Sequence, residues 1–259
     1  MKRRVIAAAM AMTIVGIICL FAEGSAAQAP PAVRIVASNG VQGALNELIP
    51  QCERAIGHPL TVEFSTTASI KPRIEGGESF DVTFLTSDAI DVLIKEGKLT
   101  ADSRASAARV GIGVGIRAGA AKPDVSTAEA LKKTLLNAQS ITYAQAGASR
   151  PVIDKMLGSM GIADALKSKT LLLPGAEETT AAVVGGKADL LLTLISEIVS
   201  AKGMELDGPL PKEFQTYVAF AAGVSPNAKN AEAAKAAVKF LTGPKAAATY
   251  KAKGMKPVK

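Results

Sequence analysis

Several chemistries are excluded by what this 259-residue chain lacks. It has two cysteines, one histidine, no tryptophan and only 4% aromatic residues. With His58 alone, and set in a loop before Pro59, a Ser/His/acid triad or a multi-histidine metal centre has nothing to build on. Aromatic platforms for stacking bases or sugars are poorly supplied. Phosphate loops of the Gly-Lys-Ser/Thr kind are missing, and Gly111, Gly113 and Gly115 lack the later glycine and helix start of a dinucleotide fingerprint. No catalytic residue, metal or cofactor is therefore expected. Nucleic acid is not an expected partner either, because Lys and Arg are scattered among acidic neighbours.

The amino terminus is where the chain is most explicit. Lys2, Arg3 and Arg4 precede an apolar run over residues 5–22, and Ser25-Ala26-Ala27-Gln28-Ala29 supplies small residues ahead of Pro30-Pro31. That order reads as a cleavable signal peptide over residues 1–29, which places the mature protein in the periplasm. A lipid on Cys19 is disfavoured, since Ile17-Ile18 replace the small residue such a site needs. Cleavage leaves 27 Lys and Arg against 22 Asp and Glu, a modest excess that suits an anionic small ligand. It also leaves Cys52 without a partner, so no disulfide forms within the chain and stability rests on a packed core. Cys52 itself, in an apolar helical stretch, reads as a small buried residue.

Beyond residue 33, short apolar runs alternate with longer amphipathic ones, the pattern of strands and helices around a largely parallel sheet. Strands are predicted over residues 33–37, 60–64, 81–85, 110–117, 140–144, 170–173, 188–194 and 217–224. Helices are predicted over 41–56, 69–75, 89–95, 127–136, 149–160, 177–184, 231–241 and 244–253. Two such sets joined by the extended segments 110–117 and 217–224 predict an α/β protein of two lobes. The expected division is residues 30–112 with 217–259 for one lobe and 113–216 for the other, with a ligand cleft between them. A monomer is expected.

Candidate ligand groups lie in turns that follow strands, where helix N-termini offer free N–H groups to an anion. Four turns qualify: Ser38-Asn39-Gly40, Ser65-Thr66-Thr67-Ala68-Ser69, Gln145-Ala146-Gly147-Ala148-Ser149-Arg150, and Pro174-Gly175-Ala176-Glu177-Glu178-Thr179. Ser69 is expected to cap the second helix, which would put Pro72 in its first turn and leave Thr66 and Thr67 free for the cleft. Arg150 would add a fixed charge able to make a bidentate contact with an oxyanion. Glu177-Glu178 reads as a charged first helical turn, not a catalytic pair.

The chain resembles a known family in the order and spacing of several short motifs. Val36-Ala37-Ser38-Asn39-Gly40, Ser65-Thr66-Thr67, Ile74-Glu75-Gly76-Gly77 running into Phe80-Asp81-Val82, and Ile94-Lys95-Glu96-Gly97 look like one lobe of the periplasmic molybdate-binding proteins of ABC importers. Gly185-Gly186-Lys187-Ala188-Asp189 and Phe240-Leu241-Thr242-Gly243-Pro244 carry the likeness through most of the mature chain. The resemblance implies the type II periplasmic binding fold, a molybdate-like oxyanion in the cleft and a membrane permease as partner. A different anion, such as a small carboxylate, or a sensor without transport are the alternatives. The resemblance places the family's first-turn serine at Gly40, its second-turn serines at Thr66 and Thr67, and its tyrosine near Leu194, where Thr193 is the polar neighbour. Ser38, Asn39, Gly40, Thr66, Thr67, Ser149, Arg150 and Thr193 are thus the candidate ligand residues.

Overall fold

The computed structural model describes residues 31–258; the expected signal peptide lies outside them. Among the described residues are ten strands and ten α-helices, in largely alternating order. In chain order they are β1 (Val33–Ser38), α1 (Asn39–Ile56), β2 (Leu60–Ser65), α2 (Thr67–Glu75), β3 (Val82–Thr86), α3 (Ser87–Lys95), β4 (Ala105–Arg117), α4 (Ala128–Asn137), β5 (Ile141–Ala144) and α5 (Arg150–Ser159). Then follow α6 (Ala163–Leu166), β6 (Thr170–Leu173), α7 (Ala176–Val184), β7 (Leu190–Leu194), α8 (Ile195–Ser200), β8 (Met204–Pro209), β9 (Tyr217–Val224), α9 (Ala231–Thr242), α10 (Pro244–Ala252) and β10 (Lys256–Pro257).

The strands join in the order β2-β1-β3-β9-β4-β7-β5-β6, with β8 and β10 also paired to β4. Strand β4 organises this sheet because its thirteen residues serve two sets of neighbours. Ala105 to Gly111 pair antiparallel with β9, whereas Ile112 to Gly115 pair with β7 and Gly113 to Arg117 with β8. On the first side β1 lies parallel to β2 and β3; on the second, β5 lies parallel to β6 and β7. Helix-covered parallel strands are buried on both faces, which is why β5 and β7 are buried throughout and apolar apart from Thr142 and Thr193.

Local chemistry sets the elements around the site. In α1, the buried Val41, Ala44, Leu45, Leu48 and Cys52 recur at helical spacing, and Gly57 ends the helix at φ 71°. The Cys52 thiol is fully buried, and burial, with Glu53 beside it, pushes its pKa up to about 12. It is a core residue without a reactive thiolate. Asp81 is also buried, its two carboxylate oxygens accepting from the backbone N–H of Arg34 and of Lys229, each at 2.7 Å. That carboxylate ties the edge of β1 to the loop before α9.

Three departures from the sequence expectations have physical causes. Strand β4 begins five residues earlier than expected, because Ala105, Ser106 and Ala108 are held by pairing with β9, with Ala107 at a register shift between them, and not by their own β-propensity. Strand β8, where no strand is expected, carries Glu205 and Asp207 and is fixed by its register against β4. Helix α2 starts two residues before the expected cap, with Thr66 Oγ1 accepting from Ser69 N–H at 3.1 Å. Pro72 therefore lies inside the helix and not in its first turn.

Candidate functional site

A cleft of about 920 Å³ opens where the two sides of the sheet meet. The first side brings the start of α1 with Asn39, Gln42 and Asn46, and the start of α2 with Ser65, Thr66 and Ser69. The second side brings Gln145 and Ala146 after β5, Gly175 to Glu178 at the start of α7, and Ser196, Glu197 and Ser200 of α8. Asn39 reaches across it: its Nδ2 lies 3.9 Å from the point that a Cβ on Gly175 would occupy. Four strand-end turns that are far apart in sequence thus share one concavity.

Its walls are rich in donors. The N-termini of α1, α2 and α7 lie on it, and α7 has no side-chain cap at Gly175, so its first N–H groups are free of local side-chain partners. Neutral amides and hydroxyls make up most of the polar lining, and Lys202 is the only cationic side chain on it among the described residues. Acids are present too: Glu177 and Glu178 in the first turn of α7, and Glu197 in α8. The cleft is therefore not purely donor-lined.

Of the eight expected ligand residues, Asn39 and Thr66 line the cleft. Thr66 shares its hydroxyl oxygen with the Ser69 amide as the α2 cap. The other six stand outside the lining, each with a different occupation. Ser38 is buried and accepts from Gly40 N–H at 3.4 Å as the α1 cap. Thr67 Oγ1 accepts from Thr86 N–H at 3.3 Å, joining α2 to the end of β3. Ser149 is buried and makes no side-chain cap. Arg150 donates from Nε to Asp154 at 2.6 Å, one helical turn on, and lies over the Tyr143 ring at 5.2 Å, so its charge is already answered within its own lobe. Thr193 is buried and donates to the Glu197 carboxylate.

Gly40 is a packing position. A Cβ there would lie 2.4 Å from Phe220 Cζ and 2.8 Å from Leu194 Cδ1, so a serine side chain has no room and only the Gly40 backbone is available. His58 lies away from the cleft, with Nδ1 buried and unpartnered.

Glu197 escaped the sequence reading. It is the third residue of α8 and reaches back to the backbone N–H of Leu194 in the manner of a capping-box acid. Thr193 donates a second hydrogen bond. Burial nevertheless outweighs both and raises its pKa to about 7. The signal that could have found it was positional: Leu194 to Glu197 form a fifth turn directly after an apolar strand.

Strand β4 pairs antiparallel with β7, β8, β9 and β10, and the ligand-sized space lies at the strand ends on either side of it. The family model described as bacterial extracellular solute-binding protein matches residues 33–256. The chain belongs to that family. This solute-binding protein is 29% identical over 238 residues to an aconitate isomerase of a Pseudomonas species, covering 90% of each chain. It is 28% identical over 237 residues to the molybdate-binding protein of Azotobacter vinelandii, covering 88% of this chain and 91% of that one. The solved structure of the Azotobacter vinelandii periplasmic molybdate-binding protein superposes with a TM-score of 0.75 at 19% identity, over 88% of this chain and all of that one. The fold is the type II periplasmic binding fold, as the resemblance implied.

Proposed function

We propose that this solute-binding protein captures a small anion in the cleft at the strand ends and delivers it to the permease of an ABC importer, working in the periplasm after signal cleavage. The carrying observation is the convergence of neutral donors and three helix N-termini from both sides of the sheet on one cavity. Such groups hold an anion without a permanent counter-charge. In this reading residues 30–112 with 217–259 form one lobe and 113–216 the other, and they close on the ligand. Asn39, Thr66, Gln42 and Gln145 are the direct side-chain contacts, with the first N–H groups of α7. A molybdate-like oxyanion or a small polycarboxylate both fit this donor set. The test is the thermal midpoint of the purified protein with molybdate, tungstate, sulfate, phosphate and tricarboxylates. A ligand at 100 times its Kd stabilises by about 2.7 kcal/mol, and an unmoved midpoint with all of them would refute anion capture.

A second reading is favoured by one group. Glu197 places a carboxyl with a pKa of about 7 on the cleft wall, where a general base is most effective near neutrality, and one relative bears the name aconitate isomerase. In this reading the cleft holds aconitate and moves its double bond by taking a proton from one carbon and returning it to another. Incubation with cis-aconitate separates the two readings. Appearance of the trans isomer in proportion to protein supports an isomerase, and binding without conversion supports a receptor.

A further inference from the structure

We infer that the cleft takes up its anion together with one proton, and that the carboxyl group of Glu197 is where the proton resides. This inference rests on the anion-binding reading of the same cleft and adds the group that makes capture depend on pH.

The geometry sets up a conflict that a proton resolves. Glu197 lines the cavity in which the anion would sit, and among the described residues it has no cation within ion-pair distance. Its partners are the Thr193 hydroxyl and the Leu194 N–H, both neutral. An ionised Glu197 therefore repels a bound anion, whereas the protonated carboxyl offers it one more O–H donor.

The surroundings supply no other relief. From α7, Glu177 and Glu178 share the cavity and oppose a further negative charge; Lys202, after α8, is exposed. Helix α1, which packs on α8, faces the cavity with the amides of Gln42 and Asn46, and its Glu47 is paired with Lys253 at 2.7 Å. Beneath α8, β4 presents Gly113 and Gly115 toward Ile195 and Ile198. In β8, Glu205 is paired with Lys122 at 2.5 Å, and Asp207 is held above the ordinary carboxylate range by burial.

In the free protein the Glu197 carboxyl is half ionised at about pH 7, and a nearby anion raises its pKa further. Above that pH, binding draws one proton from solvent and affinity falls about tenfold per pH unit; well below it, binding draws none. Calorimetric titration with molybdate, sulfate and citrate in buffers of different ionisation enthalpy measures the uptake. The wild type is expected to take up close to one proton at pH 8 and close to none at pH 5.5. Glu197→Gln should abolish the uptake, flatten the pH dependence and bind about tenfold more tightly than wild type at pH 8. Thr193→Val keeps the acid but removes a hydrogen bond that favours its ionised form, so the midpoint of the pH dependence should move upward. Binding at pH 8 without proton uptake, or uptake that persists in Glu197→Gln, would overturn the inference while leaving anion capture intact. Failure of all three anions to bind at any pH would remove both.

Discussion

Ser196 donates its hydroxyl hydrogen to the backbone carbonyl of Gly40 at 2.7 Å, joining residues 156 apart in sequence. The bond pins the first turn of α8 to the first turn of α1 at the edge of the cleft. Both partners are buried, and Gly43 brings α1 close enough that a Cβ there would meet the Ser200 side chain. The relative placement of Glu197 and the α1 donors depends on this contact. Ser196→Ala is expected to cost about 1 kcal/mol, read by denaturant unfolding, with the slope of the transition unchanged.

The same residue change should have opposite signs at two glycines. At Gly40, serine or alanine drives a Cβ into Phe220 and Leu194, and overpacking of this kind costs about 1–3 kcal/mol. At Gly158, within α5, nothing lies within 4 Å of the added Cβ, and alanine should stabilise by roughly 0.5–1 kcal/mol through its helix preference. Thermal midpoints of Gly40→Ala and Gly158→Ala measure both.

Thr66 serves both as helix cap and as cleft wall, and the two roles separate by substitution. Thr66→Val removes the oxygen that accepts from Ser69 N–H and should cost about 1 kcal/mol. Thr66→Ser keeps it and should stay near wild-type stability. Any loss of anion affinity in Thr66→Val therefore has to be measured at a temperature well below its lowered midpoint. Thr67→Val acts elsewhere, by breaking the bond to Thr86, and anion affinity is expected to survive it.

Glu197 should leave a signature in stability even without a ligand. Its pKa is raised in the folded protein from 4.5 to about 7, so between those values the native state holds more protons than the unfolded chain. Stability then falls as pH rises through that window, by on the order of 3 kcal/mol in total. Glu197→Gln has no charge to bury, so it should match wild type near pH 4.5 and exceed it at pH 8. Equal unfolding curves for the two proteins at pH 8 would contradict the burial of this charge.

Most of the architecture was legible because it is written in local periodicity. The runs Ile141 to Ala144 and Leu190 to Leu194 are buried on both faces and apolar apart from Thr142 and Thr193, as a helix-covered strand requires. The family motifs then named the fold. The first part of β4, strand β8 and helix α8 were not legible, because Ala105 to Ala107, Glu205 and Asp207 carry no strand signal of their own and α8 is only six residues long. Their conformation is imposed by neighbours.

The sequence by itself determined where donor-rich turns would fall: after each strand, at a helix N-terminus, in hydroxyl and amide residues. Which atoms of those turns face the cleft was decided only by the tertiary structure. A hydroxyl in a turn has several partners within reach, and packing selects one: the amide of Thr86 for Thr67, Glu197 for Thr193, while Arg150 turns to Asp154. The same packing brought Glu197 to the cavity wall and left Gly40 no space for a side chain. Hydrogen-bonding capacity is a property of residue type, but its direction depends on the distances that folding creates.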